Sequence, residues 1–487
     1  MSAVSGRSMS VTTDIPARLD RLPWQRWHWL ILIGLGSVWI LDGLEVTIVG
    51  AVGSRITEEA SGLGITEGQV GLAASIYVVG ACLGALYFGH LTERYGRRKI
   101  FLVTLGVYLV ATVLTAFSGN ALWFYACRFF TGFGIGGEYA AINSAIDEMV
   151  PARLRGRIAL IVNGSYWLGA AAGAAMAYPL LKPEVLPEFL GWRLLFAVGG
   201  VLGLIILVVR RIVPESPRWL IIHGREEEAE RVVRGIEEEV EREANRSELP
   251  EPQSTLELEQ RTRTTFRELA RTIVATYPRR TIVGLALFAG QAFLYNAIFF
   301  TQALVLTNFF GVSSGVAPLY LIPLAIGNFL GPVLLGPLFD TLGRKPMIAG
   351  TYIGSGLLLV GTGVLFQAGV LTALTVTLCW CVVFFFASAG ASSAYLTVSE
   401  IFPMETRPQA IALFYSVGTA LGGILGPGLF GQLVASGEPS QIAFGYFLGA
   451  ALMITAGVIH WIIGLEVARS SLENIADPLS KKAITSS

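Results

Sequence analysis

Long apolar runs broken by short polar stretches make up most of this chain. A bilayer core of ~30 Å takes about 20 apolar residues of helix, and twelve runs reach that length. Six lie at 27–51, 69–90, 100–118, 121–143, 157–180 and 193–213; six more lie at 281–309, 316–338, 346–366, 370–398, 408–434 and 441–465. They are numbered spans 1 to 12. The pattern predicts an all-α membrane protein with a polar tail (1–26), six helices (27–213), a polar central loop (214–280), six more helices (281–466) and a second tail (467–487). In the loop, Val232, Val233, Ile236 and Val240 recur at helical spacing within an acidic stretch, which predicts amphipathic helices broken by Pro250 and Pro252. The loop reads equally as a latch between the halves and as a solvated linker.

Composition supports the membrane reading. Only 14% of the 487 residues are charged, against ~25% in soluble domains, and the mean hydropathy is +0.61. Net charge is zero, so bulk electrostatics make no case for nucleic acid as a partner. Cys82, Cys127, Cys379 and Cys381 lie inside apolar runs with no CxxC pair, which reads as packing rather than disulfides or metal. Asn163-Gly-Ser165 matches a glycosylation sequon but falls inside a span. No nucleophile–base set, metal cluster or cofactor loop is visible, so neither an enzyme nor a bound cofactor is expected. Gly132 to Gly137 superficially resembles a dinucleotide loop, but it follows a membrane helix rather than a strand. Small residues four apart, such as Gly132, Gly136 and Ala140, suit close approach of membrane helices instead.

Basic residues orient the spans. Arg94, Arg97, Arg98 and Lys99, then Arg153, Arg155 and Arg157, then Arg344 and Lys345 follow spans 2, 4 and 8, while the opposite loops carry Glu58, Glu59, Glu67, Glu184, Glu188 and Glu438. Both termini are therefore expected in the cytoplasm, with span 1 running outward through a plasma (inner) membrane.

One phrase occurs twice. Gly89-His-Leu-Thr-Glu93-Arg94-Tyr-Gly96-Arg97-Arg98 returns as Gly336-Pro-Leu-Phe-Asp340-Thr341-Leu-Gly343-Arg344, and Glu148 with Arg155 returns as Glu400 with Arg407. The offsets, 247 and 252, imply a duplicated unit about half the chain long, a common build among transporters. Gly89 and Gly96 suit tight packing and a turn; Glu93 is placed to pair with Arg97 or a neighbouring helix end and hold a cytoplasmic gate closed.

Charge inside the spans is asymmetric. Residues 281–339, 346–399 and 408–437 contain no Asp, Glu, Lys or Arg, whereas the first half keeps Asp42, Glu45, Arg128 and Glu138. Each costs at least ~2.5–3.5 kcal/mol to insert and asks for a reason. Asp42 and Glu45 share a helix face; two close carboxylates in low dielectric resist ionising together, as a proton-coupling pair must. Helix rise places Asp42 ~22 Å, Glu45 ~27 Å and Arg128 ~24 Å from the inner ends of their spans, so Arg128 is the natural partner. The readings are proton coupling or a static ion pair that fixes packing. Glu138 reads either as part of a cytoplasmic charge cluster or as part of the transport site. The second half offers uncharged polar groups, Gln291, Tyr295, Asn296, Gln302, Asn328, Trp380 and Tyr395, and a cavity with charge on one wall and amides and aromatics on the other suits a polar organic solute.

The repeated phrase resembles the signature of the major facilitator superfamily, and the resemblance covers the whole chain. It implies two six-helix bundles, a solute site near the midplane and halves that rock about it. Thr341 stands where the superfamily usually keeps Arg, which implies a weaker second copy of the latch. Two branches match. Pro214-Glu215-Ser216-Pro217-Arg218-Trp219-Leu220, Glu148 to Arg155-Gly156, and Ser399-Glu400-Ile-Phe-Pro403 are similar to sugar-porter signatures. Asn163 falls where sugar porters place a substrate-binding Gln, and Gln291 and Asn296 match part of their span-7 pattern. Gly290 departs from that span-7 pattern, Tyr395 stands where the branch usually has the span-10 Trp, and Pro408 follows Arg407 in place of Gly. Asp42-Gly43-Leu44-Glu45 and Arg128 to Glu138 are similar instead to spans 1 and 4 of the aromatic-acid/proton symporter, synaptic vesicle glycoprotein and organic-ion transporter branch, in which the two span-1 acids matter for coupled transport.

The expectation is a secondary active transporter, a monomer in the bilayer, moving a sugar or organic acid with protons through Asp42, Glu45 and Arg128. The solute is expected at Asn163, Tyr166, Gln291, Tyr295, Asn296, Asn328, Trp380 and Tyr395. The gate is expected at Gly89, Glu93, Arg94, Gly96, Arg97, Arg98, Glu148, Arg155, Asp340, Gly343, Arg344, Glu400 and Arg407. A facilitative uniporter and a non-transporting sensor of the same fold are the alternatives.

Overall fold

The computed structural model describes residues 10–182, 184–209, 215–244, 249–252, 255–259, 271–313, 316–403, 406–470 and 475–476. The apolar runs become helices Arg26–Ile56, Glu67–Tyr95, Arg97–Thr115, Ala121–Met149, Arg155–Gly164 with Tyr166–Leu180, and Glu188–Val209 for spans 1 to 6. Spans 7 to 12 are Pro278–Phe310, Leu321–Thr341, Arg344–Gln367, Ala373–Ile401, Arg407–Thr419 with Leu425–Ala435, and Pro439–Ile463. A π-helical turn, Ala420–Ile424, joins the two parts of span 11. Polar caps start several helices: Thr66 accepts from the Gln69 N–H, Asn120 from Trp123, and Thr372 from Thr375. Spans 2 and 8 end at Gly96 (φ 88°) and Gly343 (φ 112°), where the next helix starts at once and only glycine takes that backbone angle freely.

The packing repeats with the sequence. Spans 1 and 5, 2 and 4, and 3 and 6 pair in the first half, as 7 and 11, 8 and 10, and 9 and 12 do in the second; spans 2 with 11 and 5 with 8 form the seams between halves. The tightest seams are backbone against backbone. A Cβ on Gly132 would lie 2.1 Å from the Tyr77 carbonyl oxygen, and one on Gly84 would lie 1.9 Å from that of Phe133, which locks spans 2 and 4 together. Spans 1 and 5 meet likewise at Gly43, facing the Tyr166 carbonyl at 1.8 Å, and Gly169, facing that of Ile40 at 1.7 Å. Such contact, rather than expulsion of water, holds helices together in lipid. Large apolar side chains such as Val110, Phe117, Leu122 and Ile462 stay exposed on the outside, as a lipid-facing surface requires.

The N-terminal segment from residue 10 and the described helices of the central loop pack together on one face, here the basal face. Loop helices Pro217–Ile222 and Glu226–Ala244 form as the periodicity predicts, and Ala229, Val233, Ile236 and Val240 turn inward. The pattern did not predict that the N-terminal tail binds this loop. Strand β1 (Ser10–Thr13) pairs antiparallel with β2 (Leu256–Glu259), and a short helix, Ile15–Asp20, follows β1. Arg18 Nε donates to Glu237 Oε1 at 3.0 Å and its Nη1 to Glu230 Oε2 at 2.7 Å; Arg21 also pairs with Glu237. The tail and the described loop helix Glu226–Ala244 are therefore joined by ion pairs.

Burial pushes the Glu237 carboxyl up, but the hydrogen bonds and charges of Arg18 and Arg21 together outweigh it and hold it below the ordinary carboxylate value. The hydrogen bond from Arg18 does the same for the more exposed Glu230. A carboxyl depressed in the bound form stabilises above its ordinary value and loses that contribution as pH falls through the depressed one. Docking of residues 10–22 is thus expected to hold at neutral pH and weaken below about pH 4. Glu237→Gln is expected to release it at pH 7. Limited proteolysis of the tail checks this; equal protection of both proteins at both pH values would show that the ion pairs are not what holds it.

Candidate functional site

A cavity of about 190 Å³ lies between the halves. Nine aromatic rings line it: Trp39, Tyr77, Tyr139, Tyr166 and Trp167 from the first half, and Tyr295, Phe299, Tyr395 and Tyr415 from the second. The rings brace one another across the interface. Trp39 and Tyr139 stack at 4.7 Å with planes 3° apart; Tyr415 meets Tyr139 edge-on at 4.9 Å, and Tyr395 meets Trp39 edge-on at 6.0 Å. Trp167 packs on Tyr295 and Phe299, each at 5.6 Å. Helix rise puts Tyr395 ~9 Å and Tyr415 ~12 Å from the basal ends of their spans, against ~31 Å for Phe299. In the second half the rings therefore run from Tyr395 and Tyr415 near the basal side to Phe299 far from it.

Asn163, Gln291, Asn296, Ser388, Ser392 and Thr419 lie between the rings. Asn163 Nδ2 donates to Asn143 Oδ1 at 3.0 Å and to the Ala159 carbonyl at 2.8 Å. Tyr295 donates to Asn328 Oδ1 at 3.0 Å. On two wall residues, the Trp39 Nε1 donor and the Asn163 Oδ1 acceptor are buried without a hydrogen-bond partner among the described residues. Leaving such groups unmet costs about 1–3 kcal/mol each. A solute that satisfies them gains by the difference.

Asp42, Glu45 and Arg128 are all buried, in spans 1 and 4 behind the wall. Glu45 Oε2 accepts from Thr112 Oγ1 at 3.2 Å, and Glu45 Oε1 fills the space left by Gly199, where a Cβ would lie 2.4 Å away. The Arg128 guanidinium sits over the Tyr77 ring at 4.8 Å, with Phe196 on its other side at 6.0 Å. Its charge acts on Glu45 through space, and its Nε and Nη1 have no hydrogen-bond partner among the described residues. The cation thus lies between two rings while its charge reaches Glu45.

A second cluster closes the basal end. Arg344 binds Asp340 at 2.8 Å and both Glu400 oxygens at 3.1 Å, all three side chains buried. Asp340 also reaches across the seam, accepting from the Gly156 N–H at 3.2 Å and the Arg157 N–H at 2.7 Å at the start of span 5. Arg155 faces Asp20 of the tail at 3.5 Å, and Arg407 is buried, donating to the Phe402 carbonyl. Glu466 accepts from the Arg344 and Lys345 N–H groups and so caps span 9. Glu215 lies against Gly96 as Glu466 lies against Gly343. Thr341 only donates to the Pro337 carbonyl, yet Asp340 and Arg344 tie this copy of the phrase into a buried network. Arg94 is exposed and lies over Tyr95 at 5.0 Å. Glu93, Arg97, Arg98 and Glu148, expected in the gate, lie outside the residues whose side chains are described. Glu138 is buried between spans, accepting from Thr104 at 3.3 Å.

Of the expected solute residues, Asn163, Tyr166, Gln291, Tyr295, Asn296 and Tyr395 line the cavity. Asn328 stands behind the wall, orienting Tyr295, and Trp380 is buried in the core of the second half. Trp39, Tyr77, Tyr139, Trp167, Phe299 and Tyr415 were missed because a ring facing a cavity and a ring facing another helix look alike in an apolar span. Tyr139 had one clue, its place beside Glu138 in the glycine-rich phrase.

Residues 47–478 match the Sugar (and other) transporter family. Over 95% of its length the chain is 27% identical to the niacin transporter NiaP of Acinetobacter baylyi, covering 99% of that protein. Over 93% it is 24% identical to the 4-hydroxybenzoate transporter PcaK of Pseudomonas putida, covering 96% of it. In fold it is similar to the proton:xylose symporter XylE of E. coli, a major facilitator superfamily protein, with a TM-score of 0.75, 19% identity, and 92% of this chain and 98% of that one covered.

Proposed function

We propose that this chain, which belongs to the Sugar (and other) transporter family, carries a small aromatic carboxylate across the membrane together with protons. The observation that carries the reading is the ring-walled cavity between the halves with buried acids and an arginine directly behind it. An apolar cavity of about 150 Å³ accommodates benzene, so about 190 Å³ accommodates one six-membered ring with a small substituent. Ring walls favour flat aromatic solutes through stacked and edge-on contacts. Niacin and 4-hydroxybenzoate, named for two relatives, are both a single aromatic ring bearing a carboxylate. The basic residues support a cytoplasmic basal face, span 1 running outward and a site in the plasma membrane.

In this reading the halves, 27–213 and 281–466, rock about the cavity. Asp42 or Glu45 takes a proton from outside, which weakens the hold on Arg128. The Asp340 bridge to span 5 then opens, and solute and proton leave on the cytoplasmic side. A ligand drives such a cycle only by binding the two states unequally.

Proteoliposome counterflow of labelled nicotinate, benzoate and hexoses tests the solute class. The aromatic acids are expected to exchange and the hexoses to fail. Trp39→Leu is expected to weaken aromatic-acid binding about tenfold, the scale of one lost aromatic contact with its buried area. Exchange of hexoses in preference to aromatic acids would overturn the assignment.

A further inference from the structure

Tyr77 belongs to two sites at once. It lines the solute cavity, and its ring carries the Arg128 guanidinium at 4.8 Å. Its backbone has no freedom: the Tyr77 carbonyl lies against Gly132, one helical turn from Arg128, so close that a Cβ there would be 2.1 Å away. The next residue, Val78, also lines the cavity and touches the π-helical turn of span 11 at Gly423. Five residues on from Tyr77, Cys82 and Ser416 of span 11 exchange bonds, the serine hydroxyl donating to the Cys82 carbonyl at 2.9 Å. Span 2 is thus the element on which solute, cation and opposite half all bear. A ring moves about its own side-chain bonds, and a cation held by its face must follow or lose the contact.

The groups facing Tyr77 come from several helices. Asp42 and Glu45 of span 1 and Arg128 of span 4 act on it from behind the wall. Tyr139 and Tyr166 of the first half and Tyr395 and Tyr415 of the second lie around the cavity with it. Among these, Arg128 is the cation.

We propose that Tyr77 is the positioning residue that couples solute to protons. A solute packed against its ring fixes where the ring holds Arg128, and so how strongly Arg128 faces Glu45 and Asp42. The inference rests on the proton-coupled reading of the same site. It assigns the link to an uncharged residue and to the ring rather than the hydroxyl.

The test uses the full chain in liposomes with an internal pH dye, labelled benzoate as probe, and the ratio of protons to solute taken up. Tyr77→Leu removes the ring; whatever its uptake rate, the ratio is expected to fall about tenfold, the effect of losing a desolvated cation–π contact. Counterflow is expected to lose its dependence on pH as well. Tyr77→Phe restores the ring without the hydroxyl and is expected to restore the ratio. Tyr77→Met carries the same expectation as leucine if the leucine protein does not fold. A wild-type ratio in Tyr77→Leu or Tyr77→Met would reduce Tyr77 to a wall residue. Loss of the ratio in Tyr77→Phe would move the role to the hydroxyl. Counterflow without acidification in the wild type would defeat the coupled reading itself, and the inference with it.

Discussion

The Asp42→Asn/Glu45→Gln protein is expected to exchange its solute across a liposome membrane and to accumulate none of it. With one proton per solute, each unit of pH difference supports about tenfold accumulation, since one pH unit is worth ~1.4 kcal/mol per proton. An inward gradient of two units therefore supports about a hundredfold accumulation in the wild type and none in the variant. The reason is positional. Asp42 and Glu45 are buried on one face of span 1, Glu45 is held by Thr112 and the gap at Gly199, and Arg128 acts on Glu45 from across the cluster. Removing both carboxylates removes the group that takes the proton while leaving the cavity wall in place. Accumulation that survives in the double variant would sink the coupling role. A wild type that exchanges but never accumulates would leave a uniporter.

Gly43→Ala is expected to cost more stability than any other single methyl added to span 1. The new Cβ would stand 1.8 Å from the Tyr166 carbonyl oxygen, and the clash is with backbone, which no side-chain rotation relieves. Overpacking costs about 1–3 kcal/mol where neighbours can shift, and more where they cannot. The control lies on the same helix: nothing comes within 4 Å of a Cβ on Gly50, and there alanine is expected to be neutral or to gain about 0.5–1 kcal/mol of helix propensity. Heating followed by size exclusion should show Gly43→Ala losing its monodisperse peak several degrees below the wild type, with Gly50→Ala at or above it. Equal midpoints would mean that spans 1 and 5 do not meet in the membrane as described. Gly43 separates Asp42 from Glu45, and Tyr166 lines the cavity. The same contact therefore fixes the acids relative to the solute wall.

Much of this architecture is legible in the order of the amino acids. The apolar runs locate the twelve helices because the bilayer sets their length. The repeated phrase locates a buried charge cluster because Asp340, Arg344 and Glu400 are charges that must be paired when buried, and they are paired with one another. The asymmetry of intramembrane charge singles out Asp42, Glu45 and Arg128 for the same reason: a charge in lipid is costly enough that its presence alone is informative. Glu466 escapes notice, although it stands near the repeat offset from Glu215, because its surroundings do not copy the Pro-Glu-Ser-Pro phrase.

What sequence could not supply is the partner of each uncharged side chain. Arg128 lies over the Tyr77 ring, Trp380 packs in a core while Trp39 faces the cavity, and the tail closes on the central loop through Arg18 and Glu237. Inside a membrane, aromatic residues facing a cavity, a helix or lipid look alike in sequence, because all three surroundings are apolar. Hydropathy and charge cost therefore determined how many helices there are and where the charges sit. Only the packing of spans 1, 2, 4, 5, 7, 10 and 11 decided which rings line the cavity and which one of them lies under the cation.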